Sequence, residues 1–404
     1  MRIVKRVLST YSADNFGVCS ALYELGGLVV MHDASGCNST YNTHDEPRWY
    51  DMDSLVFISG LTEKNAIFGN DDRLIEDLVR AADEFHPHFI AVCGGPLPHI
   101  IGTDFRAVAK AVERRCGVPT FGFQTNGMDS YISGAGQALE ALVGLMPGTV
   151  RPKRSLCKVN ILGATPLDFS LNGSVEALES LLEREGFKIG STWAMGDSLE
   201  KILQSSDASV NLVVSAVGYR AALALEKRFG IPYVIGLPAG RSVTERILHE
   251  IRQKADPNRQ DGNCIYTGQV PDRDGSVEAK ESGVLIIGEP LCSLSIRETL
   301  ETACGKKNVR IISPMHGLPK EIISLGCEKI ELEDELREAC KSAEFVIADP
   351  LYARLLPKEQ EKFIALPHVA YSGRYYEKEI SVLVGDRLDF WLTEALSGRT
   401  PGRS

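Results

Sequence analysis

Leu28-Val-Val-Met-His-Asp33 is a continuous apolar run that stops at a polar turn. Such a run reads as a strand buried on both faces. The pattern returns at Val159-Asn-Ile-Leu-Gly-Ala-Thr-Pro166 and at Val284-Leu-Ile-Ile-Gly-Glu-Pro290. A second run follows each: Phe89-Ile-Ala-Val-Cys-Gly-Gly95, Asn211-Leu-Val-Val-Ser-Ala216 and Phe345-Val-Ile-Ala-Asp-Pro350. After each second run come a helix-like stretch, a compact stop and another strand. The stops are Cys116-Gly-Val-Pro-Thr-Phe121, Phe229-Gly-Ile-Pro-Tyr-Val234 and Ala365-Leu-Pro-His-Val369. In the first two, Gly takes the left-handed position after the helix and Pro bars its continuation.

Apolar strands alternating with helices of about 12–16 residues mean βαβ units, whose crossovers give parallel sheets covered on both faces. The sequence therefore predicts an α/β chain of three Rossmann-like, doubly wound parallel-sheet domains, over 1–150, 151–275 and 276–404. The polar stretch from Lys254 to Ser282 reads as a linker or surface excursion. A helix is expected from Asp386 to Leu396, ahead of a fraying tail.

The chain has 404 residues, too many for one ordinary domain. Its 44% hydrophobic and 24% charged residues are the balance of a soluble globular protein. A net charge of −10 argues against nucleic-acid binding. No secretory leader is read at Met1-Arg-Ile-Val-Lys-Arg6 and no apolar run is long enough for membrane insertion, so a cytoplasmic protein is expected.

Ten cysteines occur, none in a C-x-x-C pair. In a reducing compartment they are not expected to form disulfides, and most read as small buried hydrophobes. Two differ in position. Cys37 lies just beyond the run ending at His32, and Cys93 ends the next buried run, ahead of Gly94-Gly95-Pro96. Both fall on the carboxyl rim of the first sheet, where open parallel sheets bind ligands. Position alone leaves two readings, buried strand-end thiols or soft ligands for zinc or an iron–sulfur group. Two cysteines do not complete the four ligands of a cubane, so others would come from elsewhere in the chain or from a second chain. Cys19, in Phe16-Gly-Val-Cys-Ser-Ala-Leu-Tyr-Glu-Leu25, lies on an expected amphipathic helix. It reads first as a core-facing residue and second as a third ligand.

These segments together resemble the nitrogenase component 1 family. His32-Asp-Ala-Ser-Gly-Cys37 is similar to that family's His-Gly-x-x-Gly-Cys loop, which supplies a cluster thiolate. Thr62-Glu-Lys-Asn-Ala-Ile-Phe-Gly69 resembles its Thr-Glu…Phe-Gly-Gly segment. Cys93 with Ile101-Gly-Thr-Asp104 resembles its next cluster cysteine and the Ile-Gly-Asp-Asp after it, and Tyr371-Ser-Gly373 a turn at the edge of its active cavity. There are departures. Tyr11 and Ser12 stand where three-cysteine members place the first cluster cysteine. Val217-Gly-Tyr-Arg220 stands where a molybdenum–iron subunit has Cys-Tyr-Arg, so Gly218 replaces the cofactor cysteine, and His368 is one residue out of register with the cofactor histidine.

The resemblance implies an iron–sulfur oxidoreductase subunit that does not itself fix dinitrogen. It implies a [4Fe–4S] or related cluster at a subunit interface, held by Cys37 and Cys93, with Cys19 as a further candidate. It also implies a second component 1 subunit, the same chain or a paralogue, and an ATP-dependent iron protein that donates low-potential electrons. A small-molecule substrate would lie in a central cleft between the domains. The alternatives are a non-catalytic scaffold or carrier for a metallocofactor and a metal- or siderophore-binding module, against which the lack of a secretory signal at Met1–Arg6 argues.

Several residues have two readings each. Asn172-Gly173-Ser174 opens an expected helix, as a plain N-cap or as an anion holder. Tyr219 and Arg220 are either a proton donor and cation facing the cleft or a solvated helix start. His368 is a proton donor to substrate or a hydrogen-bonded strand-end residue, and His32 a hydrogen-bond donor to a cluster sulfur or a packing residue. His44 and Arg48 are expected at the surface.

Overall fold

Three parallel sheets, each started at its centre, organise the chain. The computed structural model describes residues 7–8, 11–36, 38–39, 41, 45–69, 71–148, 158–256 and 283–397. The first domain runs α1 (Asp14–Leu22), β1 (Leu28–His32), β2 (Leu55–Ile58), α2 (Glu63–Phe68), α3 (Asp71–Phe85), β3 (Ile90–Gly94), α4 (Pro96–Ile101), α5 (Phe105–Cys116), β4 (Thr120–Gly122) and α6 (Tyr131–Leu145). The second runs β5 (Lys158–Leu162), α7 (Pro166–Phe169), α8 (Ser174–Arg184), β6 (Lys188–Thr192), α9 (Leu199–Leu203), β7 (Val210–Val213), α10 (Tyr219–Phe229), β8 (Tyr233–Ile235) and α11 (Arg241–Ala255). The third runs β9 (Val284–Ile287), α12 (Pro290–Thr302), β10 (Val309–Ser313), α13 (Lys320–Ile323), β11 (Glu328–Lys329), α14 (Glu333–Ser342), β12 (Phe345–Ala348), β13 (Phe363–Ala365), α15 (Val369–Ser372) and α16 (Arg387–Leu396). The expected boundaries at 150/151 and 275/276 fall outside the described residues, as does most of the expected linker.

The sheet orders are β2-β1-β3-β4, β6-β5-β7-β8 and β11-β10-β9-β12-β13. Every pairing is parallel. Each chain segment winds to one edge, returns to the centre and winds to the other. That reversal leaves a crevice at the carboxyl ends of the two central strands. The three crevices open beside β1/β3, β5/β7 and β9/β12, and they place every candidate group below.

Helices α5 and α10 end as the sequence reading expects, on Gly117 (φ 74°) and Gly230 (φ 67°), each in the left-handed region that glycine adopts without strain. The third crossover differs from expectation. Between β12 and β13 the chain makes only 3-10 turns, at Pro350–Leu355 and Gln360–Lys362. Pro357 between them removes a donor and blocks a continuous helix.

Helix α1 is not amphipathic. Eight of its residues, including Asp14, Asn15, Cys19 and Ser20, are buried, because α6 covers one side and the first sheet another. Its contact with α6 is backbone on backbone. A Cβ on Gly17 would overlap the Tyr131 carbonyl oxygen, and one on Gly134 that of Asp14.

Arg48, expected at the surface, is buried at 3% exposure. Its guanidinium donates to Glu46 Oε1 at 2.6 Å, Glu24 Oε1 at 2.8 Å, the Ser20 carbonyl at 2.7 Å and the Ala194 carbonyl at 3.0 Å. It lies over the Tyr23 ring, 4.8 Å from the centroid. Since Glu24 Oε2 accepts from Gly196 N at 2.7 Å, this ion cluster pins the first domain to the second. Burial is affordable only because every donor finds an acceptor. His44 lies outside the described residues.

Gly134→Ala is expected to lower stability by about 1–3 kcal/mol through overpacking against α1. Gly144→Ala, on the same helix with open space around it, is expected to raise it by roughly 0.5–1 kcal/mol. Urea midpoints of the two variants check this pair. Equal shifts would remove the close contact as a constraint.

Candidate functional site: a thiol pair and an acid-lined cavity

The first crevice holds two sulfurs. Cys93 is the fourth residue of β3, opposite Met31 of β1, and Cys19 reaches it from α1. Both are fully buried. The Cys93 thiol touches Cys19 and lies 3.9 Å from the Asn15 carbonyl. Contact with Cys19, followed by burial, pushes Cys93 well above the usual thiol range. Asn15 Nδ2 donates to Asn38 Oδ1 at 2.8 Å, and Asn38 Nδ2 to Asp33 Oδ2 at 3.3 Å. Asn38 is thus tied to the helix that carries Cys19. Cys37, its chain neighbour, lies outside the described residues. Asp14, held by the N–H groups of Asn15, Asn126 and Gly127 at 2.8 Å, is nonetheless raised to about 6 by burial.

Two adjacent buried sulfurs, with the Asn15 Oδ1 left without a partner beside them, suit a soft metal group. Among the described residues no three His, Cys, Asp or Glu side chains converge to hold a metal ion. Two thiols alone do not complete the four ligands of a cubane. His32 Nδ1 is hydrogen-bonded to Ser59 Oγ at 2.8 Å, its ring edge-on to Phe105, and burial lowers its pKa.

The second and third crevices meet in one cavity of about 60 Å³. Asp168 enters from α7, Ser174 from α8, Glu289 and Cys292 from the start of α12, Asp349 from the end of β12, and His368 and Tyr371 from the β13–α15 corner. Glu289 bridges the domains: Oε1 accepts from Ala216 N at 2.9 Å and Oε2 from Cys292 N at 2.8 Å. Asp168 accepts from Tyr131 Oη and, at 3.1 Å, from Thr165 Oγ1. Burial, then the charge of Asp168, raises Glu289 to about 8. Burial likewise raises Asp349 and the Cys292 thiol.

His368 Nδ1 accepts from Ala370 N at 3.2 Å and caps α15. The geometry therefore assigns its ring proton to Nε2, which lies 3.4 Å from Asp168 Oδ1 outside hydrogen-bonding alignment. The Tyr371 hydroxyl also has no partner among the described residues. Asn172 and Ser174 do not present a free anion site: Asn172 Oδ1 accepts from Ser174 N and Oγ, and its Nδ2 donates to the Ile380 carbonyl. Gly173 precedes α8 at φ 87°.

The reading of Tyr219 and Arg220 as cleft residues is corrected. Neither lines this cavity. Tyr219 packs edge-on to Tyr233, and Arg220 is held by Glu140 at 2.6 Å because the close α6–α10 packing draws it that way. Sequence reasoning passed over Asp168, Glu289 and Cys292. A glutamate directly before Pro290 was the available signal, since that pair marks a helix N-cap.

A family model described as nitrogenase component 1 type oxidoreductase matches residues 16–288. The chain belongs to that family. This component 1 type chain is 28% identical over 288 residues to the nitrogenase iron-molybdenum cofactor biosynthesis protein NifE of Sinorhizobium fredii, covering 70% of this chain and 56% of that one. It is 25% identical over 187 residues to the nitrogenase molybdenum-iron protein alpha chain of Clostridium pasteurianum, covering 45% and 34%. The match thus spans about half or less of these relatives' lengths. The structure solved as nitrogenase Cp1 at pH 6.5 superposes with a TM-score of 0.71 at 15% identity, over 99% of this chain and 94% of that one. That likeness fixes the three-domain fold. Among the described residues no helix is long and apolar enough to cross a membrane.

The Glu289 shift has a measurable sign. Its folded pKa lies above its unfolded value near 4.5, so the folded chain keeps a proton that the unfolded chain loses. Stability is expected to fall as pH rises from about 5 to about 8, by up to ~1.4 kcal/mol per pH unit. Glu289→Gln should flatten that slope. Its amide faces two backbone donors with one acceptor, so it starts from a lower melting temperature. Melting curves across pH 5–9 check the slope; an unchanged slope would place the proton elsewhere.

Proposed function

We propose that this chain is an iron–sulfur subunit of component 1 type that works in the cytoplasm. It takes low-potential electrons from an ATP-dependent iron protein and passes them to a small molecule other than dinitrogen. The observation that carries this reading is the buried Cys19–Cys93 contact at the carboxyl rim of the first sheet. A [4Fe–4S] or related group would be held by Cys93, Cys37 and Cys19, and would supply one-electron chemistry at low potential. His32, at the end of β1, sets the polarity of that rim. Both thiols are fully buried in the isolated chain.

A second component 1 type subunit, identical or paralogous, is the partner we assign to the face beside Cys93. Helices α2 and α4 pack together there and expose Ile67 and Ile100 at 67% and 78%, together with Phe68 and Leu97. Contiguous apolar surface of this kind marks an interaction site.

The substrate is placed in the cavity between the second and third domains. There His368 presents an N–H from Nε2, and Glu289 holds a transferable proton at neutral pH. Cofactor assembly without turnover is the second reading, favoured by the similarity to NifE proteins. The small cavity weighs against storage of a large cofactor at that place.

Anaerobic purification with iron quantitation and EPR of the reduced protein tests the cluster. Cys93→Ala and Cys37→Ala are each expected to lose most iron and the signal, and Cys19→Ala to lose part of both. Full iron in all three variants would end the proposal. Ile100→Asp is expected to weaken subunit association, seen as a lower mass in analytical ultracentrifugation with unchanged circular dichroism. An unchanged mass would exclude that face. Turnover of a reducible substrate with the iron protein separates reductase from scaffold.

A further inference from the structure

We propose that the cavity between the second and third domains binds a short alkylammonium ion, a protonated amine bearing a few carbon atoms. This rests on the reading of that cavity as the substrate chamber. The argument begins with charge. The carboxyls of Asp168, Glu289 and Asp349 line the cavity, and no lysine or arginine does. The other titratable groups facing Glu289 are Tyr131 from α6, Cys292 from α12, Cys327 just before β11, and Tyr371 with His368 from the α15 corner. Buried carboxylates without a cation are costly, and a retained proton relieves that cost. The proton on Glu289 therefore stands in for a positive charge that no lysine or arginine of the cavity supplies.

Two further observations point to a ligand. The Tyr371 side chain is 3% exposed, lines the cavity, and leaves its hydroxyl without a partner among the described residues. Its oxygen is free to accept an N–H. The opposite wall is apolar, formed by Leu237, Leu366, Leu383 and Val384. An ammonium head can donate to Asp168, Glu289 and the Tyr371 oxygen while its alkyl tail covers that wall. His368 Nε2 lies 3.4 Å from Asp168 Oδ1, outside hydrogen-bonding alignment.

Size and chemistry exclude the alternatives. A space of about 60 Å³ admits only a few heavy atoms. Anions are repelled by the carboxyls. A bare metal ion lacks a converging set of three His, Cys, Asp or Glu groups among the described residues.

The test uses the full wild-type chain and three probes of one shape: n-propylammonium chloride, 1-propanol and sodium propionate, at matched ionic strength. Propylammonium is expected to raise the melting temperature saturably, and the alcohol and carboxylate are expected not to. Calorimetry in two buffers of different ionisation enthalpy should show release of about one proton per cation bound at pH 7 and almost none at pH 9. Glu289→Gln should abolish the release. Equal stabilisation by propanol or propionate, the absence of a saturable shift, or binding without proton release would each overturn the assignment. None of these readouts needs iron. A chain without a cluster still answers the amine question, and a cluster-bearing chain indifferent to propylammonium refutes this inference alone.

Discussion

Where α1 crosses α6, Gly17 lies against the Tyr131 carbonyl and Gly134 against that of Asp14. With no Cβ on either side the two backbones touch, and the helices cannot slide past one another. Three placements depend on this. Cys19 is carried onto Cys93 of β3. Tyr131, in the first turn of α6, is aimed at Asp168 in the second domain. Gly136, two residues beyond Gly134, lets α6 settle on the Arg220 stem of α10. The segment before α1 reaches the third domain as well, through Ser12 N to the Ala370 carbonyl at 2.9 Å. One helix contact therefore keeps the thiol pair and the cavity in fixed relation, and neither can shift without the other.

The two domain junctions solve opposite electrostatic problems. Between the first and second domains, Glu46 is buried and Glu24 half-buried against Arg48, and every guanidinium nitrogen is engaged. That junction is static because breaking such a set strands a buried charge. Between the second and third domains, Asp168, Glu289 and Asp349 have no lysine or arginine among the residues lining their cavity, and the basic side chain there is His368, 3.4 Å from Asp168. The compensation there comes from backbone N–H groups, hydroxyls and a proton. A proton can leave, so this junction holds a group that exchanges one. A place that exchanges protons beside an apolar wall is where reductive chemistry on a small molecule is best served, since each electron added to a substrate calls for a proton.

The central strands were legible because a strand covered on both faces has no polar alternation to obscure it. Leu28–His32, Ile90–Gly94 and Val284–Ile287 are apolar runs for that reason. The helix stops at Gly117 and Gly230 were legible because left-handed closure demands glycine. Other features were hidden. Burial on every side of α1 is a property of what packs on it, and a nine-residue helix with Asp14, Asn15 and Ser20 gives no local sign of it. Arg48 looks like any surface arginine until Glu24, Glu46 and the Ala194 carbonyl, far apart in sequence, converge on it. Cys19 was visible as a candidate, yet its contact with Cys93 required the helix crossing. Glu289 stood in plain view in Gly-Glu-Pro, and its role as a bridge to Ala216 depends on a second domain that the motif does not mention.

Gly218 and His368 argue together about the chemistry of the cavity. Gly218 packs against the Leu162 carbonyl so closely that no side chain fits there. A cysteine at that position is therefore excluded by the backbone and not merely absent from the sequence. His368 spends its Nδ1 lone pair on the cap of α15, which leaves Nε2 as a donor and removes the free lone pair a metal ligand needs. Both positions that the family resemblance ties to a large metallocofactor are thus closed by local packing. What the cavity keeps is a set of proton carriers at one end and aliphatic side chains at the other.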